Sequence, residues 1–358
     1  MTSTISFPGL GIGEFTINRT AFTIFGINVQ WYGLILTTGI LVAFILFYRR
    51  AIKTERLTED DVLNVTLLTV PISIIGARIV YVLTTWSDGK YKTFYDVIAI
   101  WEGGIAIYGA ILFGLATVII YCRIRKLSTL SLLDALAPAV MMGQIIGRWG
   151  NFVNAEAYGW SEGVEKLPWR MTVGNVYIDN KLRPDIQFVH PTFLISPDGT
   201  TIYVHPTFLY ESLWNLVGFI IIQLIYRKKK ANGEIFSLYM LWYGFGRGFI
   251  EMLRTDSLYL FNTSIKFSVF TGFACFVGGT ALLIYLLKKS KKSNAELAEY
   301  EKAYSAVDTY NTVDVKNEAD DKELSEKLDK LENAKNDESS DKSVEETIDK
   351  NNDGEIEK

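Results

Sequence analysis

The sequence ALAPAVMMGQIIGRWGNFVNAEAYG, residues Ala135 to Gly159, decides the fold because it joins an apolar stretch directly to a polar block. The first half, residues 135–146, is long and largely apolar. The second half, residues 147–159, brings in Arg148, Asn151, Asn154 and Glu156. Charged side chains are expensive in lipid, so charges at the end of an apolar run predict a functional site.

Composition divides the chain into two regions. Of 358 residues, 49% are hydrophobic, yet 21% are charged. Residues 293–358 contain 21 Asp and Glu against 9 Lys, a net charge of −12, which leaves +8 for the rest of a chain whose total is −4. This mixture indicates a membrane domain joined to a polar segment. We expect the segment to be disordered, apart from a transient helix near Leu324 to Leu331.

Seven apolar runs are long enough to cross a bilayer, which takes roughly 20 helical residues. They lie at about 27–48, 62–85, 97–121, 130–148, 206–226, 235–252 and 267–287. Basic clusters follow the odd-numbered runs, at 49–56, 123–126, 227–230 and 288–292. The positive-inside rule therefore predicts an outside N-terminus and a cytoplasmic tail. The first run lacks the basic start and cleavage site of a signal peptide, so we expect a retained anchor.

The predicted fold class is an all-α polytopic membrane protein with seven transmembrane helices and a small extracytoplasmic head. The head is assigned to residues 151–205, where turn residues and short runs such as Val173 to Ile178 favour some β structure. The remaining divisions are an extracytoplasmic N-terminal segment (1–26), helices one to four (27–150), helices five to seven (206–287), and a basic stop with the acidic tail (288–358).

Cysteine and histidine are scarce. Cys122 and Cys275 fall in different apolar runs and form no metal or redox motif, so we expect no disulfide, metal or cofactor. Both histidines lie in a repeated VHPTFL string, at 189–194 and 204–209. Turn residues favour a simple hairpin around the first copy. A helix start at Pro206 explains most of the second copy, but not Glu211 at the membrane boundary.

Polar groups from six predicted spans gather at one depth, in the outer half of the membrane. The charged ones, if unpaired, would cost on the order of 15 to 20 kcal/mol, so pairing or a water-filled cavity is required. Tyr243, Arg247 and Glu251 share one helical face by their i, i+4, i+8 spacing. The set at this depth is Tyr32, Arg78, Glu102, Tyr108, Arg148, Glu211, Tyr243, Arg247 and Glu251.

Simpler interpretations exist for single members of this set. Arg247 and Glu251 could form only an intrahelical pair, and Arg148 and Glu156 could only reach the interface by extending their side chains. Tyr32 and Tyr243 alone would be ordinary interfacial aromatics. The glycine run 244, 246 and 248 favours close helix packing over a phosphate loop, because no strand precedes it and no Walker lysine follows. Several arginines around one outer cavity nevertheless favour an anionic lipid head group.

The block GRWGNFVNAEAYG resembles the signature of the bacterial prolipoprotein diacylglyceryl transferase family. Further blocks resemble that family in the expected order, over about residues 15–287: QWYGL (30–34), GARIVYV (76–82), WEGGIAIYG (101–109), HPTFLYES (205–212) and YGFGRGFIE (243–251). The resemblance implies transfer of the diacylglyceryl group of phosphatidylglycerol to the lipobox cysteine thiol of exported prolipoproteins, with release of glycerol phosphate. It also implies a bacterial cell membrane protein that works in a lipid bilayer, and we expect no nucleic-acid partner.

The resemblance also implies roles for individual residues. Arg148 and Arg247 would hold the phosphate and stabilise the leaving group, and Glu251 would fix an arginine. Asn151, Asn154 and Glu156 would orient the head group, and Tyr32 and Tyr243 would line the pocket. The supporting residues are Arg78, Glu102, His205, Tyr210, Glu211 and Gly159.

Tyr108 departs from the family pattern, because many members carry histidine at this position. A neutral tyrosine is a poor proton acceptor. Tyr108 could be activated by an arginine, or Glu102, His205, water or the lipid phosphate could take the proton, or base catalysis could contribute little.

Two alternative classes of function are a transporter and a lipid-binding scaffold. A transporter would place its charges near the midplane, and a scaffold would bind lipid without turnover.

Overall fold

A computed structural model describes residues 2–174, 177–178, 181–182, 201–256 and 266–311 of the chain. Eight helices lie in this part. They are α1 (Trp31–Lys53), α2 (Glu59–Thr84), α3 (Phe94–Ile98), α4 (Ile107–Arg125), α5 (Thr129–Asn154), α6 (Thr207–Tyr226), α7 (Glu234–Leu253) and α8 (Phe267–Asn311). The first VHPTFL copy and the predicted helix near Leu324 lie outside the described residues.

Six of these helices are long and apolar enough to cross a membrane: α1, α2, α4, α5, α6 and α8, the last over Phe267–Glu299. The chain is therefore a mostly helical, multi-pass membrane protein. Helix α7 coincides with the predicted sixth span, but it is not among these six, since Arg247 and Glu251 interrupt its apolar sequence.

Two predicted spans begin too early. Residues Ile27–Gln30 form a strand, and α1 starts only at Trp31. The predicted third span at 97–121 was wrong at its start, because the chain breaks at Gly103 and Gly104, both with positive φ, and α4 begins at Ile107. Glu102 therefore lies in a 3-10 turn, Ile100–Glu102, and not in a membrane helix.

Strands from the N-terminal segment and from the region predicted as the head form a sheet. Strands β1 (Thr2–Phe7), β2 (Ile12–Asn18), β5 (Met171–Gly174) and β8 (Thr201–Val204) form one antiparallel sheet in the order β2-β1-β5-β8. Two-residue strands β6 (Tyr177–Ile178) and β7 (Lys181–Leu182) pair as a separate two-stranded sheet. The pairing of β1 with β5 brings the N-terminal segment into the head, and the predicted β structure near Val173 is present.

A separate hairpin joins the head to the first membrane helix. Strands β3 (Thr20–Ile24) and β4 (Ile27–Gln30) pair antiparallel, and β4 continues directly into α1.

The core of the four-stranded sheet consists of alternate inward residues such as Ile5 and Val204, both fully buried.

Residues 288–358 separate from 1–287 as a second compact unit. Its described part is helical, as α8 extends to Asn311, so the disorder predicted from residue 293 is wrong for 293–311. The segment is rich in Ala, Glu and Lys, which are good helix formers. Lys292 and Glu296 add an i, i+4 ion pair at 3.6 Å.

Candidate active site

Glu211 is the centre of an ion network at one end of the helix bundle. It lies in the first turns of α6, and its side chain is only 4% exposed. Arg148, near the end of α5, places Nη2 2.5 Å from its Oε2. Arg247 of α7 donates through Nη1 to both carboxylate oxygens, at 2.8 and 3.0 Å. Spans four, five and six of the prediction therefore meet at Glu211.

Glu251 and Arg254 extend the network along α7. Arg247 Nη2 lies 2.7 Å from Glu251 Oε2, so this pair is intrahelical and also part of a larger cluster. Arg254 reaches Glu251 at 3.6 Å and Glu211 at 3.8 Å, and it binds Asp256 through two nitrogens. The sequence prediction omitted Arg254, although its spacing of three from Glu251 and seven from Arg247 places it on the same helical face.

This arrangement removes most of the energetic cost expected for isolated charges. Three arginines face two glutamates that are almost completely buried, and Asp256 balances the third arginine, Arg254, so that the cluster is formally neutral. Buried charges are tolerated when they are paired and hydrogen-bonded. Arg148 and Arg247 share the single carboxylate of Glu211, and two guanidinium groups on one carboxylate favour an anion as further ligand.

The polar block after Arg148 forms a chain of side-chain hydrogen bonds. Arg148 Nη1 donates weakly to Asn151 Oδ1 at 3.4 Å. Asn151 and Asn154 each donate to Glu156 Oε1, at 3.0 and 3.3 Å. Helix α5 ends at Ala155 in the left-handed conformation, which turns the chain so that Glu156 folds back onto these amides. Glu156 remains exposed and can contact a ligand.

Gly159 lets three segments approach closely. It exchanges backbone hydrogen bonds with His205, at 3.0 and 2.7 Å. A Cβ at this position would lie 2.8 Å from Thr207 Cγ2 and 3.0 Å from the Leu253 carbonyl oxygen. Any larger residue must therefore push apart the start of α6 and the end of α7. The start of α6 carries Glu211, and Arg254 directly follows α7.

His205 is held inside the head and does not reach the ion network through any hydrogen bond in the described structure. Its Nε2 lies 2.8 Å from Ser161 Oγ and its Nδ1 3.2 Å from Tyr210 Oη. Because Trp169 Nε1 donates to Tyr210 Oη at 2.7 Å, the tyrosine hydrogen is available for Nδ1, and Nε2 carries the histidine proton. Burial lowers the pKa of His205, which keeps it neutral.

Three tyrosines surround the network. The ring of Tyr32 packs on Gly150, where a Cβ would lie 2.9 Å from Tyr32 Cδ2. Tyr243 stacks on Tyr239 one turn before Arg247. Tyr108, in the first turn of α4, lies within electrostatic range of Arg247, and its hydroxyl is 2.8 Å from Ser268 Oγ of α8. The sequence prediction did not include Ser268, which carries no motif signal.

Arg78 has a different role from the other arginines. Its guanidinium donates to the backbone carbonyl oxygens of Val97, Asp96, Gly103 and Gly104, at 2.6 to 2.8 Å. It thereby fixes the loop that leads into α4 and Tyr108. Arg78 supports the site from a distance, and Glu102 lies in the loop that it fixes.

Glycines and tryptophans set the distance between α6, α7 and α8. Trp214 and Trp242 stack with ring centroids 4.3 Å apart, and each indole donates at 2.9 Å to the other residue's carbonyl oxygen. A Cβ at Gly244 would lie 2.5 Å from the backbone nitrogen of Phe276. This confirms that the glycine run serves helix packing. Within the described residues, no cluster of His, Cys, Asp and Glu is suited to a metal ion.

Comparison with known proteins matches residues 19–285 to the model of the family described as prolipoprotein diacylglyceryl transferase. This chain belongs to that family. A relative from Lysinibacillus sphaericus, named phosphatidylglycerol–prolipoprotein diacylglyceryl transferase, is 46% identical over 68% of this chain and 83% of its own length. Relatives of the same name from Finegoldia magna and Limosilactobacillus reuteri are 37% and 40% identical, over 78% and 77% of this chain and 99% and 92% of their own lengths.

Family membership accounts for the blocks that converge in space. The transferase family match contains the polar block, Glu211 and the α7 residues, all of which meet at the ion network. It ends before residue 286, so the acidic tail lies outside the part shared with the family.

Proposed function

We propose that this chain transfers the diacylglyceryl group of phosphatidylglycerol to the lipobox cysteine thiol of exported prolipoproteins, the first step of bacterial lipoprotein maturation. The cysteine sulfur forms a bond to the glycerol carbon, the bond from that carbon to the phosphate oxygen breaks, and glycerol phosphate leaves. The names of the relatives support the substrates. The observation that carries the proposal is the convergence of Arg148 and Arg247 on the one buried carboxylate of Glu211.

Arg148 and Arg247 are the groups that bind the phosphate. Phosphatidylglycerol carries one negative charge, on its phosphate. Guanidinium groups bind phosphate bidentately, and Arg148 and Arg247 already share one carboxylate, so their nitrogens point toward a common point. Asn151, Asn154 and Glu156 supply amide and carboxylate groups for the glycerol hydroxyls of the head group.

The chemistry makes departure of the phosphate the step that most needs help. A free thiol has a pKa of about 8.5, so its ionisation near neutral pH costs only roughly 2 kcal/mol. Expulsion of a phosphate monoester from carbon concentrates negative charge on the leaving oxygens, where fixed positive charges are most effective. Glu211 and Glu251 fix Arg247 in place before the lipid arrives, which is the preorganisation that such stabilisation needs.

Tyr108 acts in this scheme as a hydrogen-bonding group. Its hydroxyl is already within hydrogen-bond distance of Ser268, and a neutral phenol is a poor base. His205 is excluded as the acceptor because both its nitrogens are engaged inside the head. The thiol proton then passes to water or to the phosphate.

We also propose that α7 crosses the membrane as a seventh span and that the network faces the outer leaflet. The polar side of α7 is engaged by the Arg247–Glu211 ion pair with α6 and by the Arg247–Glu251 pair within the helix, which supports its burial in the bundle. The starts of α1 and α6 and the end of α5 lie at the network end, whereas Arg50, Arg125 and Lys229 lie at the opposite helix ends. The positive-inside rule then places the N-terminus outside and the tail in the cytoplasm.

Reconstitution tests the proposed function. Purified full-length protein in phosphatidylglycerol vesicles, incubated with a lipobox peptide, should add a diacylglyceryl mass to the peptide through a thioether. A peptide with serine in place of the cysteine, and vesicles of phosphatidylcholine alone, should give no product. Lipid binding without product would contradict a transferase and favour a scaffold, and vectorial uptake of a solute would favour a transporter.

A further inference from the structure

The tip of the β3–β4 hairpin combines backbone strain with complete exposure. Its two turn residues, Phe25 and Gly26, have φ of 51° and 80°. Tight hairpin turns of this left-handed kind favour Asn, Asp and Gly, and a bulky residue there is an outlier. The Phe25 side chain is also 100% exposed, so no contact within the described chain offsets the strain. Such an outlier calls for a partner outside the protein.

The remainder of the hairpin is uncharged, and the residues that flank the turn are apolar. The sequence TAFTIFGINVQ, residues 20–30, contains no Asp, Glu, Lys or Arg. Ile24 and Ile27, which flank the turn, are 49% and 71% exposed. Hairpins whose edges face water carry charges or proline that prevent pairing with other chains, and a contiguous exposed apolar patch marks an interaction surface.

The position of the hairpin identifies the partner. Strand β4 runs into α1 without an intervening loop, and α1 is one of the apolar helices long enough to cross a membrane. Trp31 at this junction donates its backbone N–H to Arg19 at the hairpin base, 2.9 Å away. Phe25 at the tip is six residues from Trp31, so it lies within about 20 Å of the point where α1 begins.

We propose that the β3–β4 hairpin is an interfacial anchor that inserts the side chains of Ile24, Phe25 and Ile27 into the lipid leaflet at the active-site end of the bundle. Aromatic and aliphatic side chains without charge are the chemistry that binds the boundary between head groups and acyl chains. This anchoring role is separate from the transfer reaction, and insertion of the hairpin tip into lipid does not require catalysis.

Site-directed spin labelling tests the anchor. Phe25→Cys is labelled in full-length protein in which Cys122 and Cys275 have been changed to alanine, reconstituted in vesicles of phosphatidylglycerol and phosphatidylethanolamine. Glu14→Cys, an exposed position in β2 of the head sheet, is the matched control. Collision with oxygen, which concentrates in lipid, is compared with collision with a water-soluble nickel chelate. We expect the label at 25 to be reached mainly by oxygen and the label at 14 mainly by nickel.

Two results would overturn the proposal. Equal nickel access at both positions would place the tip in water. Protection of position 25 from both reagents would mean that protein covers it, and dipolar broadening between labels would identify that protein as a second copy. A further variant, Phe25→Asp, tests insertion without a label at the tip. In that background a label at Ile27→Cys should move toward nickel access, and no change would also contradict the anchor.

Discussion

The replacement of Arg247 by methionine tests the site most sharply, because its two consequences can be separated. Arg247 donates two hydrogen bonds to Glu211 and forms an ion pair with Glu251 at 2.7 Å, and both glutamate side chains are buried. Removing one partner of a buried ion pair costs about 3–5 kcal/mol of stability. Losing one donor to a developing anion costs about 2.7–4 kcal/mol in the transition state, which is roughly a hundredfold or more in rate.

A second substitution should restore the stability of this variant and leave its rate low. In Arg247→Met with Glu251→Gln, a neutral amide replaces the carboxylate that lost its nearest cation, so most of the thermal stability should return. The phosphate still lacks its partner, so the rate should stay at least about a hundredfold below the parent. Arg148→Ala should lower the rate by a similar factor for the same reason.

The assay combines initial rates of peptide lipidation with thermal melting of the same reconstituted samples. Arg125→Gln is the control, since Arg125 pairs with Asp61 at 3.0 Å at the opposite end of the bundle. It should leave the rate near that of the parent. If the double variant regains its rate together with its stability, Arg247 is only a structural partner and the leaving-group role is refuted.

Four further outcomes follow from the structure. Tyr108→Phe should lower the rate by about tenfold or less, as expected for one neutral hydrogen bond, and a loss as large as that for Arg247 would contradict this. Gly159→Ala should lower the melting temperature and the rate, whereas Gly147→Ala, whose Cβ would meet nothing within 4 Å, should change neither. Burial lowers the pKa of His205, so protonation of this residue favours the unfolded state. The protein should therefore have its full stability above about pH 6.5 and lose part of it as the pH falls below that value. His205→Asn should remove this part of the pH dependence in unfolding experiments. Truncation after Lys292 should leave lipidation intact, and loss of turnover in well-inserted protein would contradict it.

The sequence predicted the clustering of the charged residues better than it predicted the boundaries of the segments around them. Apolar length and charge periodicity placed Arg148, Glu211, Arg247 and Glu251 at one level, and the structure brings them within 3 Å of their partners. These signals work because lipid penalises every unpaired charge. Arg254 was missed, although the same periodicity extends to it.

The errors came from boundaries that hydrophobicity alone does not define. Residues 27–30 and 97–106 are apolar enough to extend a span. Strand pairing of residues 27–30 and the two left-handed glycines within 97–106 nevertheless delay the start of the helix that follows each segment. The pairing of β1 with β5 joins residues more than 160 positions apart, and no local pattern encodes it. The four carbonyl contacts of Arg78 likewise depend on the folded loop.

A structure of the protein with phosphatidylglycerol bound tests the central claim most directly. The account predicts that the lipid phosphate lies within hydrogen-bond distance of guanidinium nitrogens of both Arg148 and Arg247, with its glycerol group near Asn151 and Glu156. A phosphate bound elsewhere, with Arg148 and Arg247 still paired only to Glu211 and Glu251, would contradict it.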